Sequence, residues 1–293
     1  MRQHIMKNLK QEILSSLKKL NISHNDSLYL SVNMGGVFSS YLNNHGVLDE
    51  VLKNKYFYTK YVLKILKNFI SKKGSLICPT FSFSTIKTKK FDIKKTKSDL
   101  GIFSQVFLND KNSLRSDHSI HSLSAIGKFK KIIRRGHGSY SFGINSPFDE
   151  FINYKVKFLN IGVPFGETCT YTHHVEHLNG CNYRYNKMFK VTKKQKNKSK
   201  KSYDFDFVRY RSMSDDVLKN EKIIEEMLKK KKLIEYIKFP IFFSSTSSSS
   251  VYDVTKSILK KDSNIFLKGN KIVLFNDNFK NKNLIKLKIL KNV

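Results

Sequence analysis

The order of elements in the first eighty residues constrains this chain most. Ser27-Leu-Tyr-Leu-Ser-Val32 is a short apolar run with β-favouring members and reads as a buried strand. It stops at Asn33-Met-Gly-Gly36, where two glycines permit tight backbone geometry. The apolar spacing predicts a helix over about 55–72, ending before Lys72-Lys-Gly74. Ser75-Leu-Ile-Cys78 reads as the next strand, closed by Pro79. A strand, a helix and another strand in this order imply a βαβ unit and an α/β sheet.

The rest of the chain is compatible with that class. Ile5, Leu9, Ile13, Leu17 and Leu20 recur at helical spacing with Lys between them, so residues 5–20 read as an amphipathic helix. Residues 84–99 are rich in Lys, Thr and Ser and read as an exposed loop, with a helix near 100–108 after it. Ser122–Ile126 reads as a strand followed by a short helix, and Lys155–Val163 as a strand buried at its end. The polar stretch Lys193–Lys201 reads as a solvated hairpin tip between strands near 187–192 and 203–210. Residues 216–232 read as a helix, with Asp215 and Asp216 at its start and a Lys run at its end, as the helix dipole favours. Ser244–Ser250 reads as a loop leading into a helix over 251–261. The last 25 residues alternate Lys with Ile, Leu and Val, which fits a small edge hairpin or an extension. The expected division is one domain over 1–265 and a Lys-rich C-terminal extension over 266–293.

Composition narrows the partners. With 293 residues, 40% of them hydrophobic, the chain can bury one large core. The net charge of +32 points first to a polyanion. The cations, however, are 48 Lys and 7 Arg, and the Lys are spread along the whole chain. Arg is the usual reader of phosphates and bases, so compositional bias is the better reading and no nucleic-acid partner is expected. Cys78, Cys169 and Cys181 form no C-x-x-C pair, and a reducing cytoplasm is the simplest compartment. Met1–Leu20 is charged throughout and shows no secretory h-region, and the apolar runs elsewhere are too short to span a membrane. A homodimer is an open option.

One segment concentrates chemistry: Thr168-Cys-Thr-Tyr-Thr-His-His-Val-Glu-His177. No Gly or Pro interrupts it until Gly180, so a helix is predicted from near Thr170. His173 and Glu176, three apart, then share a face, as do His173 and His177, four apart. A carboxylate beside an imidazole fixes its tautomer and suits a general base. Two His and a Glu equally suit zinc, as in a hydrolase built on His173, His177 and Glu176. Spacing alone leaves both open.

Several separated blocks resemble the aminoglycoside 3-N-acetyltransferase, or antibiotic N-acetyltransferase, family. Leu28–Met34 resembles the family's early strand and hydroxyl-rich turn. Gly74-Ser-Leu-Ile-Cys-Pro-Thr-Phe-Ser82 resembles its glycine, strand and Pro-Thr-Phe sequence. Phe91-Asp92 and Gly101 match the loop that follows. Arg115-Ser-Asp-His-Ser-Ile-His-Ser122 resembles its R-S-x-H-P-x-x-S stretch, with Ser119 in place of Pro. His137, Phe142-Gly143 and Ser146-Pro-Phe148 match the next block, and Thr170-x-x-His173-x-x-Glu176 matches T-x-x-H-x-x-E. Cys169 stands where Asn is common. The matches run in order over about 27–177.

The resemblance implies a central mixed sheet flanked by helices and an acetyl-CoA-dependent N-acetyltransferase without a metal. His173 would deprotonate or position the acceptor amine, Glu176 would hold His173, and Thr170 would hydrogen-bond the thioester carbonyl or oxyanion. Acetyl-CoA would lie along Ser31, Asn33, Met34 and Gly35 and near Thr80, Arg115 and Ser116. For Arg115, a role bracing a loop is an almost equal alternative. His118 and His121 read as structural, and His174 and His177 have no assigned role. The acceptor would be an aminoglycoside or another amino sugar, such as one bound for a surface glycan.

Overall fold

The computed structural model describes residues 2–42, 48–181, 183–195, 198–209, 222–263, 265–266, 271–274 and 288–291. Helix α1 (Arg2–Lys19) buries Ile5, Leu9, Ile13 and Leu17, four residues apart along one face. Strand β1 (Ser27–Val32) is followed by helices α2 (Met34–Leu42), α3 (Leu48–Lys53) and α4 (Lys55–Phe69), then strand β2 (Ser75–Pro79). β1 and β2 run parallel, with Leu28 opposite Leu76. The expected βαβ unit is therefore present.

Next come α5 (Thr85–Thr88), β3 (Lys90–Asp92), α6 (Ile102–Leu108), β4 (Leu114–Arg115), β5 (Leu123–Gly127), α7 (Lys130–Arg135), β6 (Lys157–Ile161) and α8 (Tyr171–Asn179). A long ribbon of β7 (Arg184–Gln195) and β8 (Lys198–Arg209) precedes α9 (Lys222–Lys230), β9 (Ile234–Ile237), β10 (Phe243–Ser247) and α10 (Ser248–Lys261). β11 (Lys271–Leu274) and β12 (Lys288–Lys291) pair antiparallel with each other.

The main sheet has the order β4-β5-β2-β1-β6-β10-β9. Its centre, β2-β1-β6, is parallel, and both flanks are antiparallel. It is a mixed sheet, as expected. Alternation along the strands separates two cores. Leu28 and Leu30 of β1 face a cluster with α1, α4 and α6, whereas Tyr29 faces a cluster with α7, α8, α9 and α10. Helices thus cover both faces, which is what a parallel centre requires. A second sheet, β3-β7-β8, lies outside the first.

Four sequence expectations need correction. Ser244–Ser250 is not a loop: Phe243–Ser247 is strand β10, paired to β6 on one side and β9 on the other. Serine suggests a turn because its hydroxyl competes for backbone partners, but here two flanking strands satisfy that backbone. The helix also starts earlier than residue 251, since Ser247 caps α10 by accepting from the Ser250 amide at 3.0 Å. Residues 84–99 are also more ordered than a loop, because Phe91 of β3 is buried under the Arg115 guanidinium, 4.8 Å from its ring centroid. The polar stretch 193–201 belongs largely to β7 and β8 themselves. Asp215, Asp216 and the start of the helix expected over 216–232 lie outside the described residues, as does most of the C-terminal stretch.

The turn after β1 meets the end of β6. A Cβ on Gly36 would stand 1.9 Å from the Gly162 carbonyl oxygen. Gly162 has φ +69°, and a Cβ there would lie 2.6 Å from the Asn33 carbonyl oxygen. The two glycines let α2 start directly against the strand end. Replacing Gly36 by Ala is expected to cost about 3 kcal/mol or more, the upper range of overpacking. Urea denaturation of G36A checks this, and an unchanged midpoint would contradict it.

Candidate active site

A cavity of about 520 Å³ opens at the C-terminal ends of β1 and β2. This is where α/β sheets place their ligands. Ser31, Asn33, Met34 and Gly35 form one wall, and Thr170, His173 and Glu167 another. Phe81, Phe83, Phe103 and His121 complete much of the rest.

The helix predicted from Thr170 is α8, with Thr170 at its N-cap. The Thr170 hydroxyl makes no capping bond, although its carbonyl accepts from the His173 amide at 3.0 Å. One turn of α8 then brings His173 Nδ1 to 2.8 Å from Glu176 Oε2. A carboxylate only accepts, so Nδ1 carries the proton and the neutral ring has its lone pair on Nε2. Glu176 is 1% exposed. The Tyr183 hydroxyl donates to its Oε1, and Arg184 Nε lies 3.0 Å from Oε2. Burial, and then the Glu176 charge, raise the Tyr183 phenol and push the Cys181 thiol up to about 12, so both stay protonated.

Tyr183 and Arg184 were not found from the sequence. Both lie beyond the α8 terminus, where Gly180 (φ +70°) turns the chain, so no helical periodicity relates them to Glu176. The expected pairing of His173 with His177 on one face has no chemical counterpart. The His177 ring packs edge-on to Phe207 at 4.9 Å and against Gly143, where a Cβ would meet it at 2.5 Å. His174 Nδ1 accepts from the Gly143 amide at 3.1 Å, and its ring stacks on Tyr171. Both are packing residues. Among the described residues no group of three or more His, Cys, Asp and Glu is placed to hold a metal ion. The zinc-hydrolase alternative therefore loses its ligand set.

Four of the seven expected coenzyme residues, Ser31, Asn33, Met34 and Gly35, are on the cavity wall. Thr80, Arg115 and Ser116 lie behind it. Arg115 donates to Ser122 Oγ (2.9 Å), the Thr96 carbonyl (2.6 Å), the Thr80 carbonyl (2.7 Å) and Ser82 Oγ (2.6 Å). Burial lowers it to about 10, and it remains a cation. Thr80 Oγ1 bonds Ser124 Oγ at 3.0 Å, and Ser116 Oγ accepts from the Leu123 amide at 2.9 Å. These three brace the loops that shape the cavity.

The histidines of the middle region divide in two. His118 is fully buried and accepts from the His121 amide at 3.0 Å. His137 is buried too, held between Ser116 Oγ and the Ser141 carbonyl, each at 3.0 Å. His121 instead lines the cavity, with Nδ1 2.9 Å from Asp206 Oδ1. Asp206 is 5% exposed and also accepts from Ser141 Oγ at 2.7 Å. Burial alone would raise this carboxyl, but His121 and Ser141 outweigh it and hold it well below the usual range. Asp206 sits on β8, more than eighty residues from His121, and only the tertiary fold unites them.

Residues 50–242 match the family model described as aminoglycoside 3-N-acetyltransferase. The chain belongs to that family. It is accordingly an acyltransferase of the aminoglycoside-acetyltransferase kind. Among solved structures, the AAC(3)-IVa apoenzyme is 18% identical and superposes with a TM-score of 0.65, covering 89% of this chain and 92% of that one. Sisomicin-bound AAC-VIa is 12% identical with a TM-score of 0.70, over 86% and 97%. The AAC-IIIb binary complex with CoASH is 14% identical with a TM-score of 0.67, over 86% and 96%. These likenesses show the family's fold across nearly the whole length of each chain. No curated protein sequence matches significantly. No helix among the described residues is long and apolar enough to cross a membrane.

The buried histidines make stability depend on pH. Burial holds His137 down at about 4 and His174 at about 3, and holds His118 well below its ordinary value. In the unfolded chain each takes a proton near pH 6.5. Stability is therefore fully present above pH 6.5 and lost as pH falls toward 4, by up to about 1.4 kcal/mol per histidine per pH unit. Thermal melts from pH 7.5 to 4.5 should show a falling Tm that is shallower in His174→Phe. A flat profile would contradict the neutral burial.

Proposed function

We propose that this protein transfers the acetyl group of acetyl-CoA to an amine of an amino sugar, with His173 as base. The observation that carries the reading is the His173–Glu176 pair on the wall of the cavity, with the carboxylate buried and held by Tyr183 and Arg184. Acetyl-CoA enters this reading because a family relative of the same fold is described with CoASH bound.

The pantetheine arm and thioester lie along Ser31–Gly35, beside the start of α2. Asn33 Oδ1 accepts from the Gly36 amide at 3.3 Å and shapes that turn. His173 Nε2 takes a proton from the neutral acceptor amine as it attacks, and Glu176 stabilises the imidazolium formed. The amine attacks the thioester carbon directly. The Thr170 hydroxyl, uncommitted to the helix cap, hydrogen-bonds the oxyanion. Collapse expels the CoA thiolate, which takes up the released proton. A cavity of about 520 Å³ holds the reacting ends of the two substrates without enclosing all of CoA.

A less cationic amino sugar is favoured over a polycationic aminoglycoside, and a specific observation supports this. Of the five carboxylates near the matched blocks, Glu167 alone lines the cavity among the described residues. Asp92 accepts from the Lys94 and Lys95 amides, Glu150 pairs with Arg135 at 3.1 Å, and Asp149 accepts from the Asn145 amide. Glu176 is committed to His173. With a net charge of +32, the protein repels polycations at long range. An amino sugar destined for a surface glycan fits this balance better.

Two measurements test the reading. A CoA-release assay over kanamycin, gentamicin and UDP-linked amino sugars should show turnover, with the highest kcat/KM for the UDP-linked amines. The opposite order would overturn the acceptor reading. His173→Ala should lower kcat by about 100-fold or more, as loss of a general base does, and Thr170→Val by about 100- to 1000-fold. Unchanged turnover in H173A would refute the site assignment.

A further inference from the structure

The cavity holds a second imidazole that the acyl-transfer scheme does not use. His121 packs among Phe81, Phe83 and Phe142, with ring centroids at 4.6, 5.5 and 5.0 Å. Phe142 also carries the His173 ring at 5.7 Å, so both histidines rest on one aromatic platform. The His121 side chain is 10% exposed and that of Asp206 7%. In a site this dry the pair is held by its own hydrogen bonds.

The hydrogen bonds fix what His121 offers. Asp206 Oδ1 already accepts from Ser141 Oγ at 2.7 Å and stands 2.9 Å from His121 Nδ1. A carboxylate accepts only, so Nδ1 carries the proton. Nε2 then presents a lone pair, and among the described residues it has no protein partner. Asp206 is anchored further by its strand, since neighbouring Asp204 accepts from the Ser119 amide at 2.8 Å and pairs with Lys193 at 2.7 Å. The imidazole therefore has a fixed tautomer, a fixed ring plane and one acceptor atom available to a ligand.

We propose that His121, oriented by Asp206, is a positioning residue for the acceptor, accepting a hydrogen bond at Nε2 from a sugar hydroxyl or second N–H near the reacting amine. The inference rests on the acetyl-transfer reading of this cavity and adds a specificity determinant to it. His173 handles the proton of the reacting nitrogen; His121 holds a neighbouring donor of the same molecule. A fixed acceptor in an apolar wall discriminates strongly, because an acceptor analogue lacking the donor leaves Nε2 unpaired. It also gives the cavity a neutral contact for a sugar hydroxyl where acidic groups are scarce.

The test compares wild type, His121→Ala, His121→Gln and His173→Ala in the CoA-release assay, with the same amines titrated by calorimetry in the presence of CoA. H121A is expected to raise the acceptor KM by about tenfold, the worth of one lost hydrogen bond of about 1.4 kcal/mol. The acetyl-CoA KM should stay unchanged and kcat should fall less than KM rises. H121Q, whose carboxamide oxygen reaches the Nε2 position, should recover most of the loss, which a purely packing role for the ring would not predict. An unchanged acceptor KM in H121A, or an equal rise in the acetyl-CoA KM, overturns the proposal. If H173A turns over normally, the acetyl-transfer assignment of His173 falls, and calorimetry still decides His121. In that case equal amine affinity in wild type and H121A, or no binding of kanamycin, gentamicin or a UDP-linked amino sugar by wild type, overturns it.

Discussion

A buried carboxylate is the hinge of this architecture. Glu176 leaves water almost completely, at 1% exposure, which is costly for a charge unless it is paired and hydrogen-bonded. Its partners come from different parts of the chain: His173 from the same helix, Tyr183 from the turn that follows, and Arg184 from the start of β7. One negative charge thus ties α8, the long ribbon and the cavity wall together. Removing it would leave Arg184 buried without its counter-charge, so holding His173 and docking the ribbon fall to the same group.

The same device recurs where β8 meets the main sheet. Asp204 receives the Ser119 amide, and Asp206 receives Ser141 and faces His121. Three carboxylates, two from the outer sheet and one from α8, hold the loops of the middle region. This explains why the R-S-x-H segment looks like a site in sequence and behaves as a brace in space. Arg115 spends four hydrogen bonds on backbone and serine oxygens, and His118 accepts backbone amides. The cavity wall is thin, and a broad layer of polar packing supports it.

Legibility in the sequence followed the range of the interaction. The βαβ unit was readable because apolar runs and glycine punctuation are local, and β1, α4 and β2 stand close to where they were expected. The contact of His173 with Glu176 was readable because three-residue spacing on one helix is local too. Strand β10 was missed because serines carry no apolar period, and only pairing with β6 and β9 makes them a strand. Tyr183, Arg184 and Asp206 were missed for the same reason, since each meets its partner through tertiary contact. His121 was read as structural, although it is one residue from Ser122, which does brace Arg115; register within a loop separates a lining residue from a buried one, and no sequence pattern encodes it. Resemblance to the family supplied the chemistry that spacing left open between acid–base work and metal.

The ribbon of β7 and β8 bears on the lysine surplus. Each strand runs twelve residues, and among the described residues 139–141 hydrogen-bond alongside Phe205 on the lower part of the β8 edge. Among the described residues no other segment pairs along the rest of that edge, and an unpaired strand edge invites another chain to add on. Lys198, Lys200 and Lys201 are exposed along that stretch. A second copy approaching edge to edge would bring two such rows of ammonium groups together. Rows of like charge along a strand edge oppose edge-to-edge association, so this part of the positive charge needs no anionic partner to account for it.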